Sequence, residues 1–221
     1  MRLTLSLVAA GVLAIFAWAS VSPAAAPQPS EVPTAWELDF QFQAPKAVTL
    51  ALPGHEARTY WYLVYRVINR SDQDVIYVPN FVLYTDTGQI SPAGQGVPVS
   101  AFEAIKKLTN DPLLLDVTNI TGKLLQGEDN ARVGVAIWQD FDPKAGEIDV
   151  FIGGLSGETA TVPLPVPVEV EQTTPAGKTE KVTKTSVVLS KTLRVRYAVP
   201  GEAAGRTRTA VKQLDKEWVM R

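Results

Sequence analysis

The chain of 221 residues has no cysteine, one histidine and two methionines. Without thiols there is no disulfide, no zinc–thiolate site, no cysteine nucleophile and no lipid-modified cysteine. With His55 as the single imidazole, a serine triad has one candidate base in the whole chain. Charge of one sign is also missing. Lys and Arg number 21 against 23 Asp and Glu, so no strong field draws nucleic acid or anionic lipid. Long apolar runs are absent beyond the first 26 residues.

That first stretch is a different material. Arg2 supplies a short positive region, and "LTLSLVAAGVLAIFAW" (residues 3–18) is apolar throughout. Ala17, Ala19, Ala24, Ala25 and Ala26 then supply small residues. This is the layout of a secretory signal peptide over residues 1–26, with small residues at the recognition positions in both Ala17-Trp18-Ala19 and Ser22-Pro23-Ala24. The expectation is export, to the periplasm or to the cell surface and medium. Membrane attachment requires that the segment stay uncleaved.

What remains is rich in turn formers and β-branched residues. Sixteen prolines and fifteen glycines punctuate runs of Val, Thr, Tyr and Ile. Residues 27–35 read as a flexible lead-in, and one domain is expected over 36–221. "WELDFQFQ" and "AVTLAL" alternate as strands do. In "TYWYLVYRVIN", Trp61, Leu63, Tyr65 and Val67 share one face, and Tyr60, Tyr62, Val64 and Ile68 share the other. A strand apolar on both faces is central. Asn69-Arg70-Ser71-Asp72 turns the chain, and Pro79 marks an edge, bulge or break.

"VSAFEAIKKLTNDP" reads as the one helix. Ser100 serves as N-cap with Glu103 completing a capping box, Phe102, Ile105 and Leu108 recur at helical spacing, and Asp111-Pro112 ends it. Three strands follow in "ARVGVAIWQDF", "EIDVFIGGL" and "TATVPLPVPVEVE". Residues 163–190 read as an inserted, protruding hairpin. Its first arm carries Glu169 and Glu171, its second Lys178, Lys181 and Lys184, so opposite charges set the register. "KTLRVRYAV" closes the sheet with Leu193, Val195 and Tyr197 inward and Arg194 and Arg196 outward. The last twelve residues read as a short helix or extended tail packed through Trp218, with an edge strand as the other option. Seven to nine short strands and one helix make an all-β protein, an immunoglobulin-like antiparallel β-sandwich.

Candidate chemistry is sparse. "FIGGLSGE" (residues 151–158) imitates a nucleophile elbow, but Glu158 stands where the motif needs glycine, and a strand rather than a helix follows. Ser156 therefore reads as part of a turn, and the chain as a non-enzyme. Asp140, Asp142 and Asp149, with Glu147, form the densest carboxylate group and are the calcium candidates, against a plain solvated turn. No other cofactor is expected. Tyr60 and Tyr62, on the strand face opposite Trp61, are the candidates for stacking on sugar rings, while Trp61 is assigned to the core. Lys178 and Lys181 on the hairpin are the candidates for contacting a protein. Asn69-Arg70-Ser71 and Asn119-Ile120-Thr121 match glycosylation acceptors and read as turns.

Through "YWYLVYRVINRSDQDVIYVPNFVLYTDTG", "GEDNARVGVAIW", "FDP", "GGLSGE", "KTLRVRYAVPG" and the terminal "WVMR", the chain resembles a group of predicted exported proteins from planctomycete-like bacteria. The resemblance covers most of residues 40–221 and is weakest over 163–190. It implies an exported β-sandwich and brings no catalytic residue. The expected role is structural or protein-binding in the cell envelope, the partner being an envelope protein. The alternative is a polysaccharide-binding module, with calcium assisting. Nucleic acid is not an expected partner.

Overall fold

The computed structural model describes residues 26–51, 56–174, 177–200 and 205–221. In chain order its elements are β1 (Asp39–Phe42), β2 (Lys46–Leu50), β3 (Arg58–Ile68), β4 (Val75–Tyr77), β5 (Asn80–Thr85), β6 (Ile90–Pro92), α1 (Val99–Thr109), β7 (Leu114–Leu115), α2 (Val117–Ile120), β8 (Gly122–Leu124), β9 (Arg132–Gln139), β10 (Glu147–Gly153), β11 (Thr159–Thr173), β12 (Thr179–Ala198) and β13 (Lys212–Met220).

Two sheets pack face to face, and β3 is the axis of the first. β1 and β2 pair successively along one side of it, β9 lies on the other, and β7 adds a short parallel strand beyond β9. The second sheet runs β13–β12–β10–β5–β6, antiparallel throughout. A two-stranded pair, β4–β8, adds Val75, Tyr77 and Leu124 to the core. The protein is an all-β sandwich, as its strand and turn composition implied.

The two faces of β3 go where its alternation sends them. Trp61, Leu63, Tyr65 and Val67 meet Leu83, Ile148, Val150, Ile152, Leu193, Val195 and Tyr197 of the facing sheet. Each fully buried large side chain there is worth roughly 1.5–3 kcal/mol of removed apolar surface. On the reverse face, Tyr60 and Tyr62 with Val135 and Ile137 form a second core against Ala101, Phe102 and Ile105 of α1. A β-strand can be apolar on both faces only when both are covered, and α1 covers the second one.

Several local expectations are corrected. Pro98, not Ser100, is the N-cap of α1, and no side chain caps the helix. Ser100 lies inside the first turn because Pro98 fixes the entry φ and lacks an N–H that would need a partner. Leu108 is 57% exposed, since only Ala101, Phe102 and Ile105 face the sheet. The helix ends at Asn110 in the left-handed conformation (φ 52°), one residue before Asp111. Asn119 and Ile120 belong to α2 rather than a turn. Asp116 caps that helix by accepting from the Asn119 N–H at 2.7 Å. The C-terminal segment forms edge strand β13, because the exposed edge of β12 offers a ladder from Lys191 to Ala198. A helix there would have left that edge unpaired. Pro79 breaks the chain between β4 and β5, which lie in different sheets.

Asn69 makes the turn expected of it, though fully buried. Its Oδ1 accepts from the Ser71 N–H (3.0 Å) and Oγ–H (2.7 Å), and its Nδ2 donates to the carbonyls of Gln73 (2.8 Å) and Leu124 (3.1 Å). Every polar atom of the side chain is used, so it can be buried without penalty.

Candidate interaction surface

β12 has 20 residues, and only its last eight, Lys191 to Ala198, pair within the second sheet of the sandwich. The eleven residues from 179 to 189 meet no strand but β11, all of them except Thr185 in register with it, and at about 3.3 Å per residue they carry a two-stranded ribbon roughly 36 Å away from the body. Facing residues share a face, and the ladder sets the chemistry of each side. Near the tip, Glu169 faces Thr183 and Glu171 faces Lys181 on one side; Val170 faces Val182 and Val168 faces Lys184 on the other. Opposite charges thus sit across the ladder at Glu171 and Lys181, as their order along the chain implied. Lys178 lies beside the turn, its N–H donating to Thr174 Oγ1 and its carbonyl accepting from the Thr174 N–H.

The register slips between Pro163 and Val168, where residues 164–167 stand against Thr185 alone. Pro163, Pro165 and Pro167 have no N–H for a ladder, so this segment bulges instead of pairing. The bulge moves the apolar side of β11 to the other face, and β12 continues straight past it. Val166, Val168, Val182, Val187 and Val188 are 67%, 48%, 38%, 41% and 60% exposed as a result. A two-stranded ribbon has no second layer to cover such residues, and alone in water it is marginally stable.

The root of the ribbon is anchored by buried charge. Lys191, only 2% exposed, lies 3.0 Å from Glu37 and 3.4 Å from Glu158, and its Nζ donates to the Ser30 carbonyl at 3.1 Å. Glu158 accepts from the Ser30 N–H at 2.8 Å. Burial pulls the Lys191 ammonium down, but the two carboxylates outweigh it and hold the ammonium above its ordinary value. The Ser30 N–H, and then Lys191, hold the Glu158 carboxyl below its own. The lead-in, without regular secondary structure, is thereby pinned to the sandwich at Ser30.

"FIGGLSGE" is a turn beside that anchor. Ser156 Oγ accepts from the Glu158 N–H at 3.1 Å, and Ser156 bridges to Glu37. Gly154 has φ +82°, and a Cβ there would fall 2.2 Å from the Val78 carbonyl oxygen. His55 lies outside the described residues.

The calcium candidates are not brought together. Asp140 Oδ1 accepts from Trp61 Nε1 at 2.8 Å and from Arg206 Nη1 at 3.3 Å. Asp142 accepts from the Lys144 N–H at 2.9 Å and starts a tight turn. Asp149 sits on β10, on the outer face of the second sheet, bonded to Arg194 Nη2 (2.9 Å) and Arg196 Nε (3.0 Å). Among the described residues no three His, Cys, Asp or Glu side chains converge as metal ligands. Sharing a side of the chain does not make Asp140 and Asp142 one site, because β9 ends at Gln139 and the two carboxylates go to different partners, Asp140 to Trp61 and Arg206 and Asp142 to its own turn at Lys144.

The sugar candidates are buried. Tyr60 and Tyr62 are 3% and 7% exposed under α1, and burial raises the Tyr62 phenol above its ordinary value. Trp61, assigned to the core, is fully buried. Trp138, its neighbour across the ladder, is 1% exposed.

Sequence reasoning missed Arg206. Its side chain is fully buried and plugs the loop after β9, donating to the carbonyls of Phe141 (3.1 Å), Asp142 (2.7 Å) and Ala145 (3.2 Å) with Phe141's ring 4.6 Å away. Nothing in "GRTR" marks one arginine as buried and the other as exposed. Also missed is a cationic and aromatic stack on the outer face of the second sheet, where Arg221 lies over Tyr84 and Phe151 at 4.5 and 4.3 Å. The alternation of "RVR" signalled outward arginines but not the aromatics they would join.

Compared with known proteins, the chain matches no family model, no curated protein and no solved structure.

Proposed function

We propose that the chain is an exported, non-catalytic β-sandwich with a structural or protein-binding role in the cell envelope, and that the β11–β12 ribbon is its contact element. One observation carries this reading: a two-stranded ribbon leaves the body with five valines more than a third exposed and charged residues among them. Apolar residues standing out on an extended ribbon are suited to lie against a partner that supplies the missing layer. The prolines of β11 keep its free edge from pairing indiscriminately. Export rests on the signal-like residues 1–26, and kinship with the planctomycete-like group and with immunoglobulin-like sandwiches is part of the same proposal.

Non-catalytic function is supported by Ser156, whose hydroxyl is committed to a turn, and by the engagement of Asp140 with Trp61 and Arg206. The polysaccharide alternative rested on Tyr60 and Tyr62, which are under α1.

The test is crosslinking in the native envelope through lysines that both proteins keep, such as Lys184 and Lys212, with wild type beside a trimmed chain in which residues 169–183, Lys178 and Lys181 among them, become Asn-Gly. The expected result is one reproducible protein partner, captured by wild type and lost on trimming. Equal capture by both would remove the ribbon from the interface, and recovery of uncrosslinked monomer alone would count against a protein partner.

A further inference from the structure

A second surface, independent of the ribbon, lies along β9. The Asp140 N–H donates to the Thr59 carbonyl across the β3–β9 ladder at 3.0 Å. In an antiparallel pair every second residue aims both backbone groups at the same neighbour. Trp138 and Ala136 therefore also face β3, whereas Ile137 and Val135 aim their N–H and C=O at the opposite edge. On that edge β7 reaches only Val133 and Gly134 before the chain leaves the sheet for α2. Parallel register lets Leu115 accept from the Val135 N–H, and the Gly94 N–H donates to the Ile137 carbonyl at 2.8 Å. Left over among the described residues are the Val135 carbonyl and the Ile137 N–H. They flank Ala136, at the place a longer β7 would have filled.

Beside them opens a cavity of about 290 Å³, lined by Tyr65, Phe81, Val97, Phe102, Val117 and Ile137 among others. Tyr65 and Phe81 come from the core between the sheets, Phe102 and Ile137 from the core under α1. The slot is where both cores reach the sheet edge, with exposed Val99 and Val117 at its rim. Its volume lies at the bottom of the roughly 300–1,000 Å³ usual for small-molecule pockets, which suits a side chain or two better than a whole cofactor.

We propose that this slot binds an extended peptide segment carrying a bulky apolar side chain. A guest residue beside Ala136 donates its N–H to the Val135 carbonyl and accepts from the Ile137 N–H, continuing the line of β7. Facing residues share a face, so its side chain enters on the Ala136 side, toward Tyr65 and Phe81, and its neighbours meet Val97 and Phe102. A purely apolar ligand would fill the same space but leave a buried donor and acceptor unmet. The unpaired pair of amide groups is what selects a peptide.

The test is titration of the isotope-labelled protein with the blocked tripeptide acetyl-Ala-Leu-Ala-amide, followed by amide resonances. The expected result is a saturable downfield shift of the Ile137 amide proton. Binding should weaken at least about tenfold when the peptide's leucine nitrogen is methylated, because the lost donor leaves the Val135 carbonyl unmet. It should also be lost with serine in place of the peptide's leucine, and in a Val117→Trp variant that fills the slot. Val99→Trp, at a 75% exposed position on the same rim, replaces it if Val117→Trp does not fold. No saturable shift overturns the proposal. So does equal binding of the methylated peptide, which would mean a plain apolar cavity, or unchanged binding to the filled variant.

Discussion

Replacing Arg206 with alanine should cost more than any other single truncation of a charged residue in this protein. The guanidinium is fully buried and donates to three backbone carbonyls, of Phe141, Asp142 and Ala145, at 2.7–3.2 Å. Its contact with Asp140 is the longest, 3.3 Å, and that carboxylate is 34% exposed, so the ion pair itself is worth little. More comes from the stranded carbonyls, about 1–3 kcal/mol for each one left buried and unpaired, and from lost packing on Phe141. Asp142 can turn to water, so two carbonyls carry most of the loss, and about 3–5 kcal/mol is expected. For a chain of this size that lowers Tm by roughly 6–20 °C. Arg206→Lys should fall between, because one ammonium has three donors where the guanidinium has a planar fork of five. Arg208→Ala, two residues on and exposed, is the control and should change stability by no more than about 0.5 kcal/mol. Urea unfolding followed by tryptophan fluorescence reads all three, since Trp61 shares Asp140 with Arg206. A loss below about 1 kcal/mol for Arg206→Ala, less than one stranded carbonyl costs, would refute the reasoning and show that the loop after β9 holds its own shape.

Other perturbations follow from the same contacts. Glu158 is held below its ordinary value of 4.5 by the Ser30 N–H and Lys191, so its contribution is complete above that value and is lost as pH falls through the depressed one; Glu158→Gln should flatten stability measured against pH in that acid window. Gly154→Ala places a Cβ on the Val78 carbonyl at positive φ and should cost at least about 2 kcal/mol, whereas Ser156→Ala, losing one hydrogen bond, should cost about 0.5–1.5 kcal/mol; equal losses from the two in thermal unfolding would contradict the turn geometry. With Asp140, Asp142 and Asp149 apart, millimolar calcium should leave Tm unchanged, and a rise reversed by chelator would reveal a site that these contacts do not build. Trimming the ribbon to Asn-Gly between Val168 and Lys184 should leave the Tm of the sandwich within a few degrees, because the residues removed contribute nothing to either core.

The sequence alone determined what strand periodicity can encode. The two faces of β3, the inward Leu193, Val195 and Tyr197, the Asn69 turn and the opposed charges of the ribbon all follow from which residues lie two apart or opposite one another, and a sheet preserves that order. Composition carried the all-β class for the same reason. Tertiary structure decided everything that depends on what covers a face. Tyr60 and Tyr62 look alike whether they meet water or a helix, and α1 settles the matter by lying over them. Asp140 and Asp142 look like partners until Trp61 and Arg206, the latter sixty-odd residues later in the chain, take the Asp140 carboxylate while Asp142 accepts from Lys144 in its own turn. β13 reads as a helix as readily as a strand until the edge of β12 needs a partner. The slot beside Ala136 had no signal at all, since a strand that stops two residues short leaves no mark on the sequence of its neighbour. Local alternation is written into the chain, but burial and pairing at an edge belong to the residues that arrive from elsewhere.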